Sequence, residues 1–177
     1  VVPGAVSVPF DPSKPVVPAL EVWERAEAAI REVLPLAEDA GVYIALENVW
    51  NKFLTGPFEY RDFIDTFSSP MVKAYFDVGN CLLMGYPEHW IPILGDRIGR
   101  VHVKNFTQRN GGGTLDDFTA SLLEGSVNWA EVLPALKAAG YDSYLTAEML
   151  VSEKGLPDTG LAAQTGRELD ELIGKYC

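Results

Sequence analysis

The sequence predicts an α/β fold of the (β/α)8 TIM-barrel type, incomplete at about five βα units, and three observations carry that prediction. The hydrophobic period switches repeatedly between 2 and 3.6, so short β-rich runs alternate with helical patterns. Within each β-rich run, one alternating set of side chains is apolar and the other is mixed. The polar members of the mixed set gather at the C-terminal ends of the runs. A sheet covered by helices on both faces favours apolar residues in both sets. In a barrel the inward set turns polar near the C-terminal mouth, where active sites of that architecture are built.

Taken in order, "VVPGAVSV" reads as a first strand, and Val1-Val2-Pro3-Gly4, with no methionine, reads as entry in the middle of that strand, as in a fragment. "PALEVWERAEAAIREVLPLAEDAG" is a helix with a proline at its start and Gly41 as its stop. "VYIALEN" follows as a strand, with Tyr43, Ala45 and Glu47 on one face and Val42, Ile44 and Leu46 on the other. "EYRDFIDTFSS" is a shorter amphipathic helix. In "MVKAYFDVG", Tyr75 and Asp77 oppose Ala74 and Phe76. "PEHWIPILGD" is a proline-interrupted helix that puts His89 on its surface. In "RIGRVHVKN", Arg100, His102 and Lys104 oppose Val101 and Val103. "NFTQRNGGGTLDDFTASLLEGS" is a polar, glycine-rich loop of a length that marks a functional or mobile segment. "VNWAEVLPALKAAG" is a helix ending at Gly140, with Asn128 and Glu131 as a capping pair. In "DSYLTAEM", Tyr144, Thr146 and Glu148 oppose Leu145 and Ala147, and "TGLAAQTGRELDELIGKYC" closes the chain as a helix. Strands near 2–7, 43–48, 72–78, 98–104 and 143–149 are therefore expected to run parallel through right-handed crossovers, within one domain over 1–177.

Composition narrows the function. Fourteen Lys+Arg against 25 Asp+Glu give a net charge of −11, which opposes the phosphate-neutralising surface a nucleic-acid partner needs. No apolar run approaches the ~20 residues of a membrane span, so no membrane partner is expected. Cys81 and Cys177 make no disulfide framework and fit a reducing cytoplasm. A small molecule is the expected ligand.

The chemistry lies in "AYFDVGN", where Asp77 sits inside an apolar strand. A carboxylate there costs several kcal/mol unless a cation or a set of donors meets it. Glu47, Asp77, His102 and Glu148 each stand at or near the last position of their strand, so a barrel brings them to one place. Three carboxylates and one imidazole form a four-ligand site for a divalent cation: Mn2+, Mg2+, Co2+ or Zn2+. Any one of them alone reads more often as a satisfied structural group; four at equivalent strand ends shift the balance toward a shared site. Asn48, Trp50, Asn80, Lys104 and Arg109 are the substrate-binding candidates. Trp50 is a wall for a sugar, Lys104 a countercharge for an oxyanion or phosphate, and Arg109 a phosphate anchor in the glycine-rich loop.

"LEN", "YFDVGN", "RVHVKN", "LLEGSVNW" and "LTAEM", in that order, resemble the sugar-phosphate isomerase/epimerase family of xylose-isomerase-like TIM barrels, closest to pentulose-5-phosphate 3-epimerases and hexulose-6-phosphate isomerase-like proteins. The resemblance implies that Glu47, Asp77, His102 and Glu148 hold the metal and that Glu47 and Glu148 double as the acid–base pair. It also implies that the chain matches only the C-terminal part of the barrel, from the fourth strand to the eighth. Asn80 departs from the family, many of whose members carry a substrate-holding histidine there. The implied reaction is proton transfer on a ketose or ketose phosphate through an enediolate, with one glutamate removing a proton and the other returning one. Epimerisation and aldose–ketose isomerisation remain open. Two other readings compete. One is a non-catalytic half-barrel that assembles with itself or with a missing N-terminal part, because an open sheet exposes unpaired edges. The other is an apurinic-site endonuclease-like zinc hydrolase, disfavoured by two histidines and the acidic charge.

Overall fold

Apolar side chains four apart, Val22, Ala26, Ile30 and Leu34, give helix α1 (Ala19–Ala40) a buried stripe. Gly41, at φ 63°, ends it in the left-handed conformation with its N–H on the carbonyls of Ala37 and Glu38. In the computed structural model, which describes residues 1–9, 11–110, 112–149 and 159–177, this helix leads into a parallel sheet. The sheet contains β1 (Ile44–Glu47), β2 (Val72–Asp77), β3 (Ile98–Val103) and β4 (Leu145–Ala147), paired in sequence order. Helix α2 (Pro57–Asp65) joins β1 to β2, α3 (Val78–Cys81) and α4 (Pro87–Leu94) join β2 to β3, α5 (Trp129–Ala138) joins β3 to β4, and α6 (Thr159–Tyr176) follows. Such strand–helix alternation around one parallel sheet is the wall of an α/β barrel.

The two faces of the sheet differ as the alternation predicts. Leu46, Ala74, Phe76, Val101 and Val103 are fully buried beneath the helices. There Phe63 sits edge-on to Trp23, Phe53 and Phe67 at ring distances of 4.6, 5.4 and 5.4 Å. The opposite set, Ala45, Glu47, Tyr75 and His102, is half-buried, and Thr146 is exposed.

Among the described residues four strands form, not five, and the difference lies in "VVPGAVSV". Val1 alone adds a rung to the outer edge of β1: its nitrogen donates to Ala45 O at 2.7 Å and its carbonyl accepts from Glu47 N at 2.9 Å. Pro3 has no N–H to continue the ladder. Gly4 packs against α1, where a Cβ would stand 2.7 Å from Val22 Cγ1. The segment then turns so that Val6 and Ser7 both donate to Asn51 O.

The glycine-rich loop is folded on itself. Asn105, buried at the end of β3, accepts from the N–H groups of Phe106 and Val127 at 2.9 and 3.0 Å and donates to Leu122 O at 2.8 Å. Glu168 of α6, also buried, accepts from Ser121 Oγ and Leu122 N at 2.9 and 2.7 Å. Asn128 occupies the N-cap position of α5, but its side chain makes no capping bond, contrary to the capping pair read from sequence. His89 is exposed on α4 against the Tyr86 ring, as expected. Cys81 and Cys177 are free thiols. No helix among the described residues is long and apolar enough to cross a membrane.

These bonds make a prediction. Asn105→Ala strands two buried donors, the N–H groups of Phe106 and Val127, while Leu122 O keeps the Trp129 indole N–H at 2.6 Å, and should destabilise the protein by about 1–3 kcal/mol. Arg25→Ala removes only an exposed one-turn ion pair with Glu21 and should stay within about 0.5 kcal/mol. Urea unfolding of the two variants checks the contrast.

Candidate metal centre

The strand ends decide what meets at the C-terminal rim of the sheet. Register pairs Glu47 with Tyr75, Asp77 with His102, and His102 with Thr146, so the four predicted ligands fall on one face at one end. One ligand atom from each of Glu47, Asp77, His102 and Glu148 lies within 4.8 Å of all the others. Atoms bonded to one ion at ~2.0–2.3 Å each stand up to ~4.6 Å apart, so the cluster has nearly that size already.

Asp77 is the anchor. It has no exposed surface, ends β2 and caps α3, and its Oδ1 accepts the Asn80 N–H at 2.7 Å. Its backbone is clamped by Asn48, whose Oδ1 accepts from Asp77 N at 2.8 Å and whose Nδ2 donates to Asp77 O at 2.9 Å. The other carboxylate oxygen, Oδ2, accepts no hydrogen bond. The Lys104 ammonium lies 2.9 Å from it, a contact of charge rather than of an aligned donor. A buried, unbonded carboxylate oxygen facing two further carboxylates and an imidazole is the donor set that a divalent cation completes.

His102 Nδ1 faces all three carboxylates, at 3.1 Å from Glu47 Oε1, 3.6 Å from Asp77 Oδ2 and 3.8 Å from Glu148 Oε2. Burial alone would lower the imidazole pKa. The carboxylates of Asp77 and Glu47 and the charge of Glu148 outweigh it and raise the value from 6.5 to about 9. Tyr75 lies against the ring with centroids 3.8 Å apart. Lys104 is buried and bonds Glu148 Oε2, with its Nζ 5.1 Å from the Phe118 ring centroid. Burial disfavours its charge, but Asp77 and Glu148 more than compensate and raise its pKa. Gly79 has to be glycine, because a Cβ there would meet Lys104 Cγ at 2.5 Å.

Among the proposed substrate contacts, Lys104 is the one the structure brings into the cluster. Asn48 is fully buried with its amide spent on the Asp77 backbone, and Asn80 donates to Asn48 O at 3.0 Å. Both position Asp77. Trp50 donates to Asn80 O at 2.9 Å and stacks on Phe118 at 5.0 Å, one ring removed from Lys104. Arg109 is exposed on the loop and pairs with Asp117 at 2.7 Å, outside the cluster of four. The contributions of Tyr75, Gly79 and Phe118 went unread. "DVG" carried a signal for the glycine, while the stacking partners lie too far apart in sequence to be paired from it.

The signature of a known family runs through residues 1–172 of this chain, a span that includes the whole sheet and the four clustered residues. The chain belongs to the xylose isomerase-like TIM barrel family. An uncharacterised protein of Methanocaldococcus jannaschii is 28% identical over 159 residues, 88% of this chain and 52% of that protein. The mannonate dehydratase of Shouchella clausii is 27% identical over 156 residues, 80% of this chain and 43% of the enzyme. The chain thus spans about half the length of the curated relatives it matches. Among solved structures, the IolI protein with a binding zinc atom superposes with a TM-score of 0.78 at 20% identity, covering 91% of this chain and 59% of IolI. A D-tagatose 3-epimerase-like protein gives 0.69 at 22%, covering 92% and 61%. These superpositions establish the shared barrel architecture, which this family member presents as a four-stranded arc.

The raised His102 pKa fixes the sign of a pH effect. A folded-state value above the ordinary 6.5 means that protonation stabilises the metal-free fold fully below about 6.5, and that this stabilisation is lost as the pH rises through about 9. Urea unfolding across that window should show declining stability without metal. With Zn2+ or Mn2+ the decline should flatten or reverse, because a ligating imidazole is already deprotonated.

Proposed function

We propose that the complete protein to which this chain belongs is a metal-dependent epimerase or isomerase of a ketose or ketose phosphate. One observation carries the reading: Glu47 and Glu148 end the two outer strands of the arc and flank the Asp77–His102 pair. Two carboxylates on either side of one cation site are what proton removal and return at a sugar carbon require. The D-tagatose 3-epimerase-like structural neighbour is consistent with it.

A divalent cation held by Glu47, Asp77, His102 and Glu148 supplies positive charge where the enediolate develops. The remaining work falls to the side chains. One glutamate accepts the proton from the carbon beside the carbonyl, and the other delivers a proton; delivery to the opposite face inverts the carbon, and delivery to the neighbouring carbon isomerises the sugar. Lys104, bonded to Glu148 Oε2, holds that carboxylate in place and sets a second positive charge beside the developing oxyanion. Asp77 holds its geometry through Asn48 and Asn80 and moves no proton.

The sequence relationship to mannonate dehydratase supports a second reading, loss of water from a sugar acid, which also starts from a carbon acid. Analysis of products separates the two, since an epimer retains the mass of its substrate. β4 has no further strand beside it among the described residues. We therefore include in the proposal a covering partner for this edge, from another segment of the protein or a second copy.

In the complete protein, Glu148→Gln should lower turnover by about 10²–10⁴-fold, because an amide retains the shape but accepts no proton. Asp77→Asn should act through the metal, so added cation should restore part of its rate and none of that of Glu148→Gln. Solvent deuterium exchange at the sugar carbon is the readout. Equal rescue of both variants by metal, or normal exchange in Glu148→Gln, would contradict the assignment of roles.

A further inference from the structure

Lys104 is the only buried Lys or Arg among the described residues, and the chain builds a slot around it. Its stem passes Gly79, where a Cβ would meet Lys104 Cγ at 2.5 Å, and its ammonium lies 2.9 Å from Asp77 Oδ2 and bonds Glu148 Oε2. The same ammonium lies over the Phe118 ring, 5.1 Å from its centroid. Arg31, Arg61, Lys73, Arg100 and Lys175 also lie over aromatic rings, but each of them is exposed or half-buried. Attraction between a cation and a ring face is stronger where water is excluded, so the Lys104 contact is the one that counts for most.

The placement of Phe118 is itself built. Phe106 and Phe118 form an antiparallel bridge in the loop between β3 and α5, flanked by Thr107 N donating to Asp117 O at 2.8 Å and Thr119 N donating to Asn105 O at 3.1 Å. Phe106 has no exposed surface and meets the Phe118 ring edge-on at 5.1 Å, and a Cβ on Gly113 would overlap the Phe106 ring. Backbone pairing and an aromatic platform thus aim one half-buried ring at one buried ammonium.

We propose that Phe118 is a positioning residue for proton transfer at Glu148: it keeps water from the Lys104 ammonium and so holds that ammonium on Glu148 Oε2 and Asp77 Oδ2. The proposal rests on the epimerase or isomerase reading and gives the loop after β3 a part in it. Glu148 follows an outer strand with its side chain 40% exposed, and among the described residues Lys104 is the donor that restrains its carboxylate. A hydrated ammonium would exchange that bond for water and leave the carboxylate free to swing. Displacing a reacting group by about 1 Å costs up to about 10²-fold in rate.

Two measurements on the complete protein test it. The first is acylation of Lys104 by an amine-reactive reagent, read by peptide mass spectrometry, with alkylation of the buried Cys81 thiol as the control for unfolding. Phe118→Ala should speed Lys104 acylation by about tenfold or more while Cys81 stays protected, and Phe118→Tyr should leave it slow. Phe118→Leu keeps an apolar side chain against Phe106 but offers no ring face; it should speed acylation too, and takes the place of alanine should that variant expose Cys81. The second is solvent deuterium exchange at the sugar carbon with Mn2+ present, using the fastest-exchanging member of a panel of ketopentoses, ketohexoses and their phosphates. Phe118→Ala should lower kcat about tenfold with KM within about twofold, and should cost little more in a Lys104→Met background, because the ring acts through the ammonium. Lys104 acylation equally slow in Phe118→Ala, or an equal loss of kcat from Phe118→Ala with and without Lys104→Met, overturns the proposal. The reading of the site fails separately: faster acylation in a protein that exchanges no ketose of the panel sinks that reading and leaves the hold of the ring on the ammonium standing. Ketose exchange that Phe118→Ala does not slow does the reverse.

Discussion

Asp77 is a carboxylate with no exposed surface at the end of a strand whose other buried members, Val72, Ala74 and Phe76, are apolar, and the arrangement around it answers the problem of burying that charge. One oxygen takes the Asn80 N–H, and the backbone on either side is held by the two halves of the Asn48 amide. Asn80 in turn donates to Asn48 O and accepts from Trp50, so the loops after β1 and β2 are fixed to each other through the residue they both support. The second oxygen, left without a hydrogen bond, faces Lys104 and His102. Lys104 then dictates Gly79, the one residue type that leaves room for its stem. A requirement for one buried charge thus propagates into six neighbouring positions.

The same requirement explains the balance of charge at the rim. Three carboxylates face one ammonium and one imidazole, and the imidazole pKa rises because its proton occupies the position between the carboxylates where positive charge is most needed. A divalent cation there would take over the role of that proton, since a ligating imidazole has to be deprotonated. Sheet order supplies the functional asymmetry, with the buried Asp77 on an inner strand and the more accessible Glu148 on an outer one.

Much of this was legible in the sequence, because a strand has a period of two and a barrel uses its faces differently. "VYIALEN", "KAYFDVG" and "RVHVKN" each separate an apolar set from one ending in Glu47, Asp77 or His102, and the structure brings those ends together with Glu148. What sequence could not convey was the partner each polar group finds. Asn48, Asn80 and Arg109 have the chemistry of ligand contacts, but their partners are Asp77, Asn48 and Asp117, and Asn48 meets Asp77 across 29 residues. The Ser121–Glu168 bond spans 47 residues and is equally silent in a linear reading. "VVPGAVSV" has strand composition, but Pro3 removes a ladder donor and Gly4 is packed against α1, so local propensity yielded to the tertiary contact.

Equilibrium dialysis against Mn2+ or Zn2+ tests whether Glu47, Asp77, His102 and Glu148 share one divalent ion. Saturable binding of a single ion per chain is expected, lost in both Asp77→Ala and His102→Ala while circular dichroism shows the helices and sheet retained. Binding that survives undiminished in either variant, or no saturable ion in the parent protein, would contradict it.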